Sequence, residues 1–395
     1  MFKNIAKILS SHIIVKLLGL VNIVIVLFFL TIEEFGKYSY SLILLHLVTI
    51  IIDPFLSSYL VDFKTYSYKV FNFGVLFLSV ILTPVYYYII CLLNAEIDIV
   101  LYLLFTVTFL IGASLKSYLN IKERYYNYGI VDVVRQLSVF LTTLIFFYVL
   151  GSNNYIELLE FNYLISSMTM IFLVFIFIKK NEVEFSININ KLKKVLFNSK
   201  FLIYYTALIP LISFIDSYFV DVYLADEDLG LYSFSIKIYN ISLMLVVPIF
   251  TVLNIKQIEV AKANNYQGFV KGNLKKIVFF SSILFFLAIS FNWFLVGYVY
   301  LDYKASFWIT NILILGSFIT YISLPFSFLI AYRKYKYLYF LGVVAILVNI
   351  IVNYIFIEKY GMIVAAFSTF LSQLIINFGA AIFSYFLLKN KNYEN

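Results

Sequence analysis

Apolar residues in this chain recur in long unbroken runs, separated by short breaks that carry charge or turn-forming residues. A helix needs about 20 such residues to cross the hydrocarbon core of a bilayer. Twelve runs of that kind can be counted, at approximately 10–30, 39–60, 71–93, 98–120, 128–150, 156–178, 200–222, 231–254, 276–299, 306–331, 338–357 and 362–388. The first is longer than the apolar segment of a secretory signal and leads into Glu33 and Glu34 with no small-residue cleavage site. It is expected to stay as a helix, and the pattern predicts an all-α integral membrane protein.

The breaks differ in charge. With both termini placed in the cytoplasm, most of the 29 basic residues fall in inner breaks, where short loops retain Lys and Arg. Lys179, Lys180, Lys191, Lys193, Lys194 and Lys200 crowd the central one. The outer breaks hold Lys37, Lys304 and Lys359 and most of the acids, among them Glu33, Glu96, Glu157 and Asp226. The stretch 179–200 is the longest hydrophilic one. It predicts an N-terminal six-helix bundle over 1–180, a cytoplasmic linker over 181–199 and a C-terminal six-helix bundle over 200–395.

A repeat supports that division. "EEFGKYSYS" at Glu33–Ser41 returns as "EDLGLYSFS" at Glu227–Ser235, and at the same offset Pro54 falls on Pro248 and Asn22 on Asp216. Locally the stretch reads as a helix start, with Gly easing the entry and Tyr at the headgroup belt. An offset of six spans is even, so both halves cross the membrane in the same sense. Two parallel bundles related by a pseudo-twofold axis along the membrane normal are then expected, with a central cavity between them.

Composition narrows the function. Residues that are 63% hydrophobic and 13% charged cannot make a water-facing globule of this length. One cysteine, Cys91, and two histidines leave no disulfide and no zinc or iron-sulfur ligand set, so neither a metal nor a cofactor is expected. The net charge of +8 is accounted for by loop topology, and no nucleic-acid partner is expected.

Ionisable groups inside spans cost about 2.5 to 3.5 kcal/mol on insertion scales and tend to face a cavity or a partner. Lys16, Arg135 and Lys237 are the in-span bases, each read either as cavity-lining or as snorkelling to the headgroups. His12, Lys16, Gly19 and Asn22 make one polar stripe on the first span. His46 and Asp53 lie in the second, with Pro54 freeing a carbonyl; Asp132, Arg135 and Gln136 lie in the fifth, Asp216 and Ser217 in the seventh. Asp132 and Arg135 are i, i+3 neighbours able to neutralise each other. His12 reads as interfacial. Asn349 with Asn353, and Thr369 with Gln373 and Asn377, form stripes that read as interhelical glue. The expected cavity residues are Lys16, Asn22, His46, Arg135 and Lys237, and the expected ion-coupling residues are Asp53 and Asp216.

Three segments carry a family resemblance: "FKNIAKILSSHIIVKLLGLVNIVIVLFFLTIEEFGKYS", "FIDSYFVDVYLADEDLGLYSFSIKIYN" and "VNIIVNYIFIEKYGMIVAAFSTFLSQ". With them the chain resembles polysaccharide flippases of the O-antigen type, in the superfamily that also holds multidrug and lipid II exporters. It departs at Ser217, where many relatives carry Arg, so an ion pair centred on Asp216 is not carried over. The resemblance implies movement of an undecaprenyl-pyrophosphate-linked oligosaccharide from the cytoplasmic to the outer face of a bacterial inner membrane. It also implies membrane lipids, a polysaccharide polymerase and a chain-length regulator as partners. A drug or cation exporter of the same fold is the alternative, and a membrane glycan polymerase a further one. A polymerase is disfavoured because no long outer loop and no acid-base pair in a loop is evident.

Overall fold

A computed structural model describes residues 2–47, 71–72, 84, 87–88, 90–93, 97–122, 124–178, 183–184, 189–244, 257, 259–260 and 266–391. The chain divides into two compact units, Met1–Ile203 and Tyr204–Asn395.

The first unit contains α1 (Phe2–Phe29), α2 (32–47), α3 (Ile99–Ile121), α4 (Tyr125–Ile145) and α5 (Tyr155–Phe177). Helix α1 packs along α4, and α3 packs on α4 and α5. Asp98 caps α3 by accepting from the Leu101 N–H at 2.6 Å, and Asn154 caps α5 by accepting from the Ile156 N–H at 3.0 Å. Such caps satisfy donors that the first turn leaves open.

The second unit is reached within α6 (Ile189–Tyr223), which begins inside the stretch read as a linker and carries Pro210. It contains α7 (Asp226–Met244), α8 (Tyr266–Phe294), α9 (Phe307–Ser323), α10 (Tyr335–Tyr360), α11 (Ile363–Gln373) and α12 (Gly379–Lys391), the last two joined by a π-helical turn, Leu374–Phe378. Close helix contact rests on small residues. A Cβ on Gly342 would lie 3.0 Å from Leu208 Cδ1. The α10–α11 turn closes at Gly361, whose φ of +67° suits glycine, with its N–H donating to the Ile357 carbonyl at 2.8 Å.

Eight helices among the described residues are long and apolar enough to cross a membrane. They correspond to the fourth to seventh and ninth to twelfth expected runs. The first run is helical with an apolar stretch, Ile13–Phe29, while 39–60, 71–93 and 231–254 lie partly or mostly outside the described residues. Side chains such as Phe28 and Phe175, 81% and 79% exposed, make sense against lipid. The described architecture is helical apart from one short parallel bridge in the first unit, β1 (Phe71–Asn72) on β2 (Val183–Glu184). A pattern reading of long apolar runs has no means of finding it.

The repeated stretch is a duplicated helix cap. The Thr31 N–H donates to Glu34 Oε2 at 2.9 Å while the Glu34 N–H donates to Thr31 Oγ1 at 3.3 Å, a reciprocal capping box. At the same offset the Ala225 N–H donates to Asp228 Oδ2 at 3.4 Å. Tyr38 and Tyr232, expected at the headgroups, are instead interior, 6% and 1% exposed. Each lies within about two turns of its helix start, on the face turned toward the rest of its unit.

The sole thiol, Cys91, is exposed and falls near the expected outer end of the third run. A membrane-impermeant maleimide added to intact cells is expected to label it. Labelling only from the cytoplasmic side would reverse the assigned topology.

Candidate functional site

The second unit converges on one carboxylate. Asp216 lies on α6 about two turns before its end, and it is 0% exposed. Its Oδ1 accepts from Asn349 Nδ2 at 2.8 Å, from Asn353 Nδ2 at 2.7 Å and from the Ser368 hydroxyl at 2.7 Å, and its Oδ2 accepts from the Thr369 hydroxyl. The Tyr232 phenol of α7 is within electrostatic reach of the same carboxyl. The donors come from α10 and α11, so three helices meet at this point, with Tyr232 of α7 nearby. Asn349 and Asn353 reach it together because i, i+4 positions share a helix face.

Those donors satisfy the oxygens but bring no positive charge. Among the described residues no basic side chain pairs with Asp216, and none hydrogen-bonds Ser217 Oγ beside it. A buried carboxylate without a counter-charge carries a desolvation cost of several kcal/mol. The node can therefore be balanced by a proton on the carboxyl or by a cation beside it. Asn353 Oδ1 is also buried with no partner among the described residues. A half-turn of the two amides and rotation of the two hydroxyls would bring Asn349 Oδ1, Asn353 Oδ1, Ser368 Oγ and Thr369 Oγ1 beside a carboxylate oxygen. Such an all-oxygen shell suits a hard cation, and the carboxylate alone suits a proton.

The first unit holds a different arrangement. Lys116 Nζ of α3 lies 2.7 Å from Asp132 Oδ2 of α4 and 4.9 Å from the centre of the Tyr128 ring. Arg135 reaches Asp132 Oδ1 only at 3.9 Å. Asp132 is thus neutralised mainly by Lys116, not by its i, i+3 neighbour, and the Arg135 side chain stays 37% exposed. The Tyr163 phenol is within electrostatic reach of Arg135. Phe105 packs edge-on against the Tyr163 ring at 5.0 Å and against the His46 ring at 5.0 Å. The structure thereby links His46 to Arg135 through two aromatic rings, while His46 Nδ1 lies 2.6 Å from the Leu42 carbonyl oxygen.

The remaining expected residues are placed separately. Lys16 is exposed on α1. Asn22, six residues on, is buried with Oδ1 lacking a partner among the described residues. Between them Gly19 faces the Gln136 amide, where a Cβ would lie 3.6 Å from Nε2, so the polar stripe of α1 runs against α4 next to Arg135. Lys237 is partly buried and forms no ion pair among the described residues. At 100° per residue it stands about 140° round α7 from Tyr232, away from the Asp216 node. Asp53 and Pro54 lie outside the described residues, as do Pro248 and the His12 side chain.

Sequence reasoning missed Lys116, which lies inside the expected run 98–120 but was not named among the in-span bases, and set aside Asn349, Asn353 and Thr369 as glue. The i, i+4 asparagine pair was the available signal, and its target on α6 was not.

Residues 1–254 match a family described as polysaccharide biosynthesis protein. No curated protein matches the sequence. Solved structures match over nearly the whole chain. An inward-facing multidrug resistance MATE family transporter of the MOP superfamily aligns with a TM-score of 0.69 at 11% identity, covering 98% of each chain. An outward-facing one aligns with a TM-score of 0.66 at 11% identity, covering 100% of this chain and 97% of the other. A MOP superfamily transporter from Pyrococcus furiosus, whose binding pocket is described as of reverse polarity and suggestive of a different function, aligns with a TM-score of 0.63 at 12% identity, covering 98% and 96%.

Proposed function

The chain belongs to the polysaccharide biosynthesis protein family, has the fold of membrane transporters, and we propose that it is an ion-coupled flippase for a lipid-linked oligosaccharide. The cargo in this reading is an undecaprenyl-pyrophosphate-linked glycan of surface polysaccharide synthesis, such as O-antigen, carried outward across a bacterial inner membrane by alternating access. The observation that carries the proposal is the family match over residues 1–254, on a fold shared end to end with transporters.

Three features of the site support it. A pyrophosphate needs fixed positive charge in a region of low dielectric, where it acts strongly. Arg135, left partly exposed because Lys116 occupies Asp132, supplies a guanidinium whose planar fork fits phosphate oxygens. Lys16 on the neighbouring α1 adds charge, with Asn22 and His46 as polar contacts of the first unit, and Lys237 is a separate candidate base in the second unit. Asp216 is the coupling residue, binding a proton or sodium ion in one stage of the cycle and releasing it in another. A cation that binds one conformation better than the other shifts the balance between them, and that is the whole physical content of coupling. Asp53 is a second candidate for the same role. A polymerase and a chain-length regulator would act on the glycan after its delivery.

The test is complementation of a strain lacking its own flippase. Wild-type chain is expected to restore surface polysaccharide, and Lys16→Ala to restore several-fold less at equal protein level, as expected for loss of one exposed contact of about 1 kcal/mol. Full restoration by the variant would remove Lys16 from the site. Failure of the wild type, with export of organic cations instead, would favour a drug exporter.

A further inference from the structure

The stripe that continues from Thr369 does more than bridge helices. One turn beyond Thr369 on α11 stands Gln373, and beyond that Asn377 inside the π-helical turn Leu374–Phe378. Asn377 Nδ2 donates to Gln373 Oε1 at 2.6 Å and to Thr320 Oγ1 of α9 at 2.9 Å. The Thr320 hydroxyl lies 3.1 Å from the Gly316 carbonyl oxygen and 3.4 Å from Gln373 Oε1. Gly316 is buried against the Gln373 side chain, where a Cβ would lie 3.5 Å from Cγ.

Three observations set this cluster apart from ordinary glue. It is the only described polar cluster that coincides with a π turn inside a spanning helix, a feature concentrated at functional sites. Successive i, i+4 steps drift about 40° round a regular helix, yet Asn377 still faces Gln373 and Thr320. Its first member, Gln373, is partly exposed, so the cluster is not sealed within the unit although Asn377 is buried. And it lies about 6 to 12 Å along the helix axis from Thr369, the residue that holds Asp216 Oδ2.

We propose that Thr320, Gln373 and Asn377 form a second, transient binding site for a monovalent metal cation of the sodium class, on the path by which Asp216 exchanges that ion with the cytoplasmic side. The inference rests on the reading of Asp216 as the coupling residue. Gln373 Oε1, Asn377 Oδ1, Thr320 Oγ1 and the Gly316 carbonyl are hard, neutral oxygens. They replace part of an ion's hydration shell without the charge that would trap it, as a waypoint requires. None of them titrates near neutral pH, so the cluster serves a metal ion and gives a proton no resting place.

The test uses the full-length purified protein. Sodium affinity is read by isothermal titration calorimetry, and exchange by isotopic sodium flux in liposomes, for the wild type, for the double variant Gln373→Leu/Asn377→Leu and for Gln373→Met. Equilibrium affinity is expected to change less than about twofold, because Asp216 is untouched, while exchange slows at least about tenfold for loss of neutral ligands to a charged ion. Gln373→Met is nearly isosteric, keeps Asn377 in place and carries the test if the double variant does not fold. A folded variant that exchanges sodium at the wild-type rate overturns the proposal. So does a wild type that binds no sodium; gradient-driven transport lost in Asp216→Asn would then leave proton coupling at Asp216 standing. An unchanged rate alongside sodium binding lost in Asp216→Asn would sink the waypoint alone.

Discussion

Asp216→Asn is expected to lower gradient-driven transport at least about tenfold and to abolish any dependence of thermal stability on the coupling ion. The substitution keeps size and removes the charge. If the new amide keeps its oxygen toward Asn349, Asn353 and Ser368, its NH2 takes the place of Oδ2, and the Thr369 hydroxyl loses its acceptor. A lost hydrogen bond to a charged group is worth about 1.5 to 3 kcal/mol, which is about ten- to a hundredfold in affinity. In the wild type a bound ion stabilises the fold in proportion to the logarithm of its concentration over Kd. A rise of Tm with sodium or with proton concentration that vanishes in the variant is the expected signature. An unchanged rise would place the ion elsewhere, and Asp53 would be the next candidate.

The second large effect is expected at Arg135. Arg135→Ala removes a guanidinium that the first unit leaves partly exposed, and transport of the lipid-linked glycan is expected to fall at least about tenfold, as for loss of a charge-assisted phosphate contact. The neighbouring pair gives a sharper version. In Lys116→Met, Asp132 loses its 2.7 Å partner and draws Arg135 toward itself, so transport falls although Arg135 is still present. Adding Asp132→Asn releases Arg135 and should restore most of the activity, a non-additive outcome expected of residues that share one network. If Lys116→Met/Asp132→Asn were no better than Lys116→Met, Lys116 would act by itself and not through Arg135.

The helices were legible because lipid imposes one rule, that every backbone polar group be satisfied within the segment, and only long apolar runs meet it as helices. The doubled stretch at Glu33 and Glu227 was legible as a helix start because its acids sit where a first turn has open donors, and the capping bonds of Glu34 and Asp228 occupy those places. The interior location of Tyr38 and Tyr232 was not, since a tyrosine just inside a membrane helix has the same local sequence whether it faces headgroups or neighbours. Asp216 could be named because a carboxylate inside a span is conspicuous by itself. Its partners could not, because Asn349, Asn353, Ser368 and Thr369 are more than 130 positions away and are neutral, and neutral polar residues in membrane helices most often only bridge. Lys116 was hidden although it lies inside the expected run 98–120, because its partner Asp132 is on another helix and only the distance between them reveals the pairing.

The central claim is that a cation at Asp216 drives movement of a lipid-linked glycan. Its most direct measurement is flipping in proteoliposomes that hold a defined polyprenyl-pyrophosphate oligosaccharide, with glycan on the opposite leaflet read by an impermeant lectin or glycosidase, under an imposed sodium or proton gradient. The expected result is gradient-dependent flipping by the wild type that falls to the protein-free rate with Asp216→Asn. Flipping that ignores both gradients, or that proceeds equally in the variant, would contradict the account.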